Sequence, residues 1–290
     1  MRLDGRRKST HVDDRRGQSS GRRGIAIGGS IVGIIIAAVV TWLSGGNPVD
    51  VLSGALGDTG FQSQQPTYTP SAEEEELADF SKKIFAGTED VWTKLFAEQG
   101  LPPYEPPTLV LYTGATTSGC GNADASIGPF YCSADETVYI DLSFFSDMRR
   151  TIGADGDFAY AYVIAHEVGH HVQHLLGQLS QSHAKMQRSS QTESNRESVR
   201  LELQADYYAG VWAHHDNLMF GSLEPGDIEE ALDAAQKIGD DYLQKRAQGY
   251  AVPDSFNHGT SAQRERWLRK GLNTGTIAGG DTFSPTYSSL

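Results

Sequence analysis

Four of the chain's nine histidines lie within nine residues, His166, His170, His171 and His174, in the stretch AYVIAHEVGHHVQHLLG from Ala161 to Gly177. His166, Glu167 and His170 make the pattern H-E-x-x-H. On a helix, residues four apart share a face at about 6 Å, so two imidazoles so placed converge on one zinc ion. Glu167 is turned about 100° from His166, which brings its carboxylate to a metal-bound water rather than to the metal, the place of a general base. His174 shares the face of His166 but sits about 12 Å further along the axis, too far to bind the same metal. His171 points about 100° away from His170. The longer pattern with a third histidine fails at Gln173 and Leu176, so a third ligand has to come from elsewhere.

The surrounding residues describe a buried helix. Phe158, Tyr162, Ile164, Ala165, Val168, Val172 and Leu175 are apolar or small, and Glu167 is the one charge between Phe158 and Leu176. Buried polar groups must be satisfied, by a metal or by hydrogen bonds within a core helix. A matching pair stands in ESVRLELQADYYAGVW, where Glu202 and Asp206 are four apart among Leu201, Leu203, Ala205, Ala209 and Val211. Glu202 reads as the third ligand and Asp206 as the acceptor that orients a ligating histidine, with the reverse assignment open. Glu193 and Glu197 read as a solvated acidic face.

HEVGHHVQ followed about thirty residues on by ELQADYYAGVW, with GCGNADASIGPFYC, TVYIDLSFF and FNHGTSAQRERW, resembles the bacterial putative neutral zinc metallopeptidase family. That family falls within the wider group of H-E-x-x-H peptidases whose third ligand is a glutamate. The resemblance spans roughly Cys120 to Gly271 and an anchor-plus-linker layout. It implies a zinc cofactor held by His166, His170 and Glu202, a catalytic base at Glu167, and a protein or peptide substrate. Tyr207 departs from the family pattern, where Cys often follows the Asp, but this position is no ligand. The resemblance also implies an oxyanion partner from a later segment. His258 is the candidate, against a plainer role in capping the helix that starts near Thr260 and Ser261, with Tyr131 and Arg264 as alternatives. The strand ETVYIDLSFF is expected to be the edge on which an extended substrate adds a strand. Two other readings are an inactive, membrane-tethered zinc-binding scaffold and a zinc hydrolase of non-peptide substrates.

The elements that must position these residues follow from pattern. Residues 72–273 read as an α+β domain, mostly helical with a small antiparallel sheet. Helices are expected from the EEEE run to Gly100 and over Phe158–Leu176, Glu197–Met219, Pro225–Arg246 and Ser261–Leu272, with strands in PPTLVLYTG and ETVYIDLSFF. Ahead of the domain, Gly24–Leu43 is twenty residues without a charge, about 30 Å as a helix and enough to span a bilayer core. Eight Arg/Lys against three acids in residues 1–23 precede it. The positive-inside rule then predicts a cytoplasmic N-terminus, a transmembrane helix over 24–43 and a catalytic domain outside the cytoplasm. A cleaved signal peptide is the competing reading, but no A-x-A site follows Leu43. Residues 44–71, rich in Gly, Ser, Pro and Gln, read as a linker and 274–290 as a disordered tail.

The net charge of −13 comprises +5 in residues 1–23 and −18 in the remainder. Such an acidic body excludes nucleic acid as the natural partner. Cys120 and Cys132 would be two thiols in a reducing compartment; with the domain outside the cytoplasm, they are expected to form a disulfide.

Overall fold

The computed structural model describes residues 1–18 and 68–290. The expected membrane helix over 24–43 lies outside the described residues, as does nearly all of the expected linker. Among the described residues no helix is long and apolar enough to cross a membrane.

Helix α1 (Ala72–Glu98) starts where the Ser71 side chain accepts the Glu74 N–H and three glutamates meet the positive end of the helix. Ile84, Phe85, Val91, Trp92 and Leu95 form its buried face. After α1 come β2 (Thr108–Tyr112), a hairpin of β3 (Ala115–Ser118) and β4 (Gly121–Asp124), β5 (Phe130–Cys132), β6 (Thr137–Asp141) and the short helix α2 (Ser143–Asp147). The remaining helices are α3 (Asp157–Leu175), α4 (Gln178–Met186), α5 (Gln191–Phe220), α6 (Asp227–Lys237), α7 (Asp240–Gln248) and α8 (Ser261–Thr274).

The mostly helical α+β class expected from pattern is what the chain adopts, but its main sheet is mixed rather than antiparallel. The strand order is β1-β2-β6-β5, with β1 being Val12–Asp14. β1 and β6 run parallel to β2, and only β5 is antiparallel to its neighbour β6. This arrangement also corrects the expected substrate edge. β6 is interior, buried along its whole length, and the free edge next to the metal helix is β5. Leu109 and Leu111 of β2 join Val138 and Ile140 of β6 in the core with α1, α3 and α5. Val110, Tyr112, Tyr139 and Cys132 form a smaller cluster. Cys132 is joined to Cys120 in a disulfide that ties the end of the β3–β4 hairpin to β5.

Three further expectations are corrected. The basic N-terminus is not set apart, because residues 12–14 are an edge strand of the domain's sheet. Residues 274–290 are not a disordered tail. The Tyr207 hydroxyl meets Thr274 and the Thr276 carbonyl, Gln204 donates to the Gly280 carbonyl, Thr282 donates to the Arg200 carbonyl, and Leu290 is buried. The single helix expected over Pro225–Arg246 is two, α6 and α7, broken at Gly239. A Cβ on Gly239 would stand 2.4 Å from the Ser261 nitrogen, so the break lets the start of α8 pack there.

α5 and α8 touch backbone to backbone. A Cβ on Gly210 would lie 2.2 Å from the Leu268 carbonyl oxygen, and one on Gly271 would lie 2.0 Å from that of Tyr207. This contact brings α8 close enough for Arg264 to reach the centre of the site.

Candidate metal centre

α3 carries His166, Glu167 and His170 and α5 carries Glu202 and Asp206. Gly169, inside the H-E-x-x-H motif, sets how near the two helices come. A Cβ there would stand 2.9 Å from the Ala205 carbonyl oxygen and 3.1 Å from its Cα, both backbone atoms. The approach places Glu202 against both histidines. Its carboxylate oxygens lie 3.2 Å from His166 Nε2 and 3.5 Å from His170 Nε2. One ligand atom from each of the three residues falls within 4.8 Å of the others, as a shared metal requires. A Gly169→Ala chain is expected to bind zinc about 10–100-fold more weakly, because pushing α5 away moves Glu202 off the two histidines; titration with zinc checks it.

The far side of each imidazole is fixed. His166 Nδ1 donates to Asp206 at 2.8 Å, and His170 Nδ1 donates to the Gln173 side-chain oxygen at 2.9 Å. Gln173 is oriented in turn by donating to the Leu201 carbonyl and to Gln204. Each Nδ1 thus holds a proton, so each Nε2, facing Glu202, is the atom left to bind a metal. Asp206 also accepts from the Tyr162 hydroxyl at 2.5 Å and from Nε and Nη2 of Arg264, each at 2.9 Å. Arg264 is therefore engaged with Asp206 and Tyr162, which answers its candidacy for the oxyanion. As the site stands, burial works against protonating His166, but Asp206 and Glu202 hold its pKa up at about 10. Burial would raise the Glu202 carboxyl, yet His170 and His166 hold it well below the usual carboxylate range. Two imidazoles and a carboxylate that converge in this way are a donor set suited to a dication.

Glu167 is 8% exposed and opens onto the same cleft, and burial pushes its carboxyl pKa up. His258 also lines the cleft, with 46% of its side-chain surface open. It sits in the turn before α8, and one carboxylate holds that turn. Asp240 accepts the backbone N–H groups of Asn257, His258 and Gly259 at 2.7–3.0 Å and the His258 Nδ1–H at 3.1 Å. His258 Nε2 is left for the cleft. The helix cap that competes for His258 in the sequence is made without it, by Thr260 and Gln263.

His171 and His174 stay out of the cluster. His171 is fully buried between the Tyr131 hydroxyl at 2.9 Å and the Glu105 carbonyl at 2.7 Å, while His174 lies 3.7 Å from Glu136. Tyr131, on the edge strand β5, lines the cleft and is pinned by His171. Gln173, Asp240 and Gly169 go unassigned in the sequence reading. Gln173 carried a signal, since it is three residues from His170 on the same turn; Asp240 carried none beyond its place at a helix start.

The cleft has a volume of about 550 Å³ and is walled mainly by apolar side chains, among them Val163, Leu179, Met186, Leu201, Ile238 and Leu243. The family model described as "Putative neutral zinc metallopeptidase" matches residues 1–283. The chain is 50% identical over 287 residues to the uncharacterized protein YpfJ of Escherichia coli strain K12, covering 98% of this chain and 99% of that one. It is 37% identical over 204 residues to the uncharacterized protein Rv2575 of Mycobacterium tuberculosis strain H37Rv, covering 67% of this chain and 66% of the other. No solved structure matches.

Proposed function

The chain belongs to the putative neutral zinc metallopeptidase family, and from that membership and the geometry of its site we propose that it is a zinc-dependent endopeptidase. The observation that carries the reading is the convergence of His166, His170 and Glu202, with Glu167 facing the same cleft. When bound, zinc would supply a Lewis acid that acidifies water and polarises the scissile carbonyl. The chain's own groups do the rest. Asp206 and Gln173 hold the two imidazoles in register. Glu167, its basicity raised by burial, takes the proton of the attacking water and passes it to the leaving amine. His258, steadied by Asp240, donates to the carbonyl oxygen as charge builds there. Phe130–Cys132 offers an edge on which an extended peptide adds as a strand.

The cleft also sets a substrate class. Within it the carboxylates are those of the metal site, and Arg264 is consumed by Asp206. Peptides with large apolar side chains beside the scissile bond are favoured over charged ones. We also propose that residues 24–43 attach the enzyme to a membrane.

His258→Ala is expected to lower kcat about 10²–10³-fold with KM little changed, the pattern of a group that acts in the transition state. A matching rise in KM would assign it to substrate binding instead. The reading as a whole is tested on the purified full-length chain by elemental analysis and casein hydrolysis. One zinc per chain, activity abolished by a chelator and activity restored by zinc are expected. A zinc-loaded chain that hydrolyses no peptide overturns the enzyme reading.

A further inference from the structure

We propose that residues 1–18 lie on the same side of the membrane as the metal domain, against the single crossing expected from the basic cluster. The proposal rests on the membrane attachment through residues 24–43 and is independent of catalysis.

The N-terminal segment is built into the domain at three levels. Its backbone completes the sheet: Val12, Asp13 and Asp14 are in register with Leu109, Val110 and Leu111. The Leu109 N–H donates to the His11 carbonyl at 2.8 Å, and the Arg15 N–H donates to that of Leu111 at 2.7 Å. Its polar side chains satisfy buried acids of the domain. Ser9 Oγ and His11 Nδ1 both bond Glu89, which is buried in α1. Arg6 grips Asp216 of α5 with two nitrogens, at 3.2 and 2.7 Å, and stacks over the Phe220 ring. Asp216 is 1% exposed, so removing the segment strips a buried carboxylate of its cation. Third, the two ends flanking residues 19–67 meet. The Tyr68 ring packs onto Gly17, where a Cβ would stand 2.2 Å from the ring, and its hydroxyl bonds Glu74.

The same contacts reassign the basic cluster. Five of its eight cations pair with carboxylates of the domain: Arg2 with Glu224, Arg6 with Asp216, Arg7 with Glu89 and Asp90, Lys8 with Asp79, and Arg16 with Glu75. Arg15 is paired with Asp13 of the segment itself. The charges that the positive-inside rule counts are complements of an acidic domain. Two strands of one sheet cannot be divided by a bilayer. Any path through the membrane between Gln18 and Tyr68 therefore returns to the side that it left.

Thr10 and Ala247 are exposed positions, one in the segment and one on α7. Thr10→Cys and Ala247→Cys are introduced singly into the full-length chain. Intact and detergent-permeabilised spheroplasts are treated with a membrane-impermeant sulfonated maleimide, with the unaltered chain as background. The two thiols are expected to behave alike, both labelled in intact cells or both only after permeabilisation. Labelling of one and protection of the other in intact cells would overturn the proposal. Docking itself is read by hydrogen exchange on the detergent-solubilised full chain. The Leu109 and Arg15 amides are expected to be protected, and exchange of both at the rate of an unstructured peptide would overturn it as well. Loss of peptidase activity moves neither readout.

Discussion

Replacing Glu167 by Gln is expected to lower the rate of peptide hydrolysis by about 10²–10⁴-fold, the range ascribed to a positioned general base. Zinc content should stay at the native level. The amide keeps the volume of the carboxylate, so α3 has no cavity to close, and it removes only the group that can accept a proton. Glu167 is suited to the role by where it stands. It follows His166 by one residue, opens onto the cleft, and has its pKa raised by burial toward that of a group that can both take and return a proton. kcat on a peptide substrate and zinc by elemental analysis, measured on one preparation, separate the outcomes. Unchanged hydrolysis would remove Glu167 from the mechanism, and loss of zinc along with activity would make its role structural.

The second large effect is expected at Asp206. Its carboxylate is the common acceptor for His166, Tyr162 and two nitrogens of Arg264, and all three residues are buried. Burial would raise its pKa, but Arg264 and His166 hold it at about 2. Asp206→Ala leaves the guanidinium without a counter-charge, which costs about 3–5 kcal/mol. For a domain of this size that is a fall in Tm of about 10 °C. The same change frees the His166 ring to rotate and is expected to weaken zinc binding about 10–100-fold. The two losses can be pulled apart. In the double variant Asp206→Leu with Arg264→Met, apolar packing replaces the buried pair and much of the stability should return. Zinc affinity should not, because His166 Nδ1 still has no acceptor. Recovery of both would reduce Asp206 to a stability element.

The cluster of His166, His170 and Glu202 was legible in the sequence because each pair is local to one helix, where four-residue spacing fixes the face whatever the rest of the chain does. Asp206 was legible for the same reason. The parts that were not legible depend on distant partners. Strand β1 is three residues long, and its partner lies about a hundred residues away, so no periodicity announces it. The tail of Gly, Thr and Ser has the composition of disorder, yet it is held by Gln204, Arg200 and Tyr207 of α5. Asp240 looks like any acid at a helix start until the fold brings the His258 turn over it. Gly169 occupies an unspecified position of H-E-x-x-H, and only the approach of Ala205 gives it a reason.

The link from His166 through Asp206 to Arg264 has a consequence for how the protein is made. The two histidines leave the ribosome first, Glu202 follows, and the arginine that locks Asp206 comes almost a hundred residues after His166. At about 5–20 residues per second that lag is roughly 5–20 s. Until α8 has docked through Gly210 and Gly271, the nascent chain carries the ligands without the scaffold that aims them. A chain terminated before residue 264 should accordingly be a poor zinc binder, so that the capacity to hold the metal is conferred last, once α8 has been made and docked.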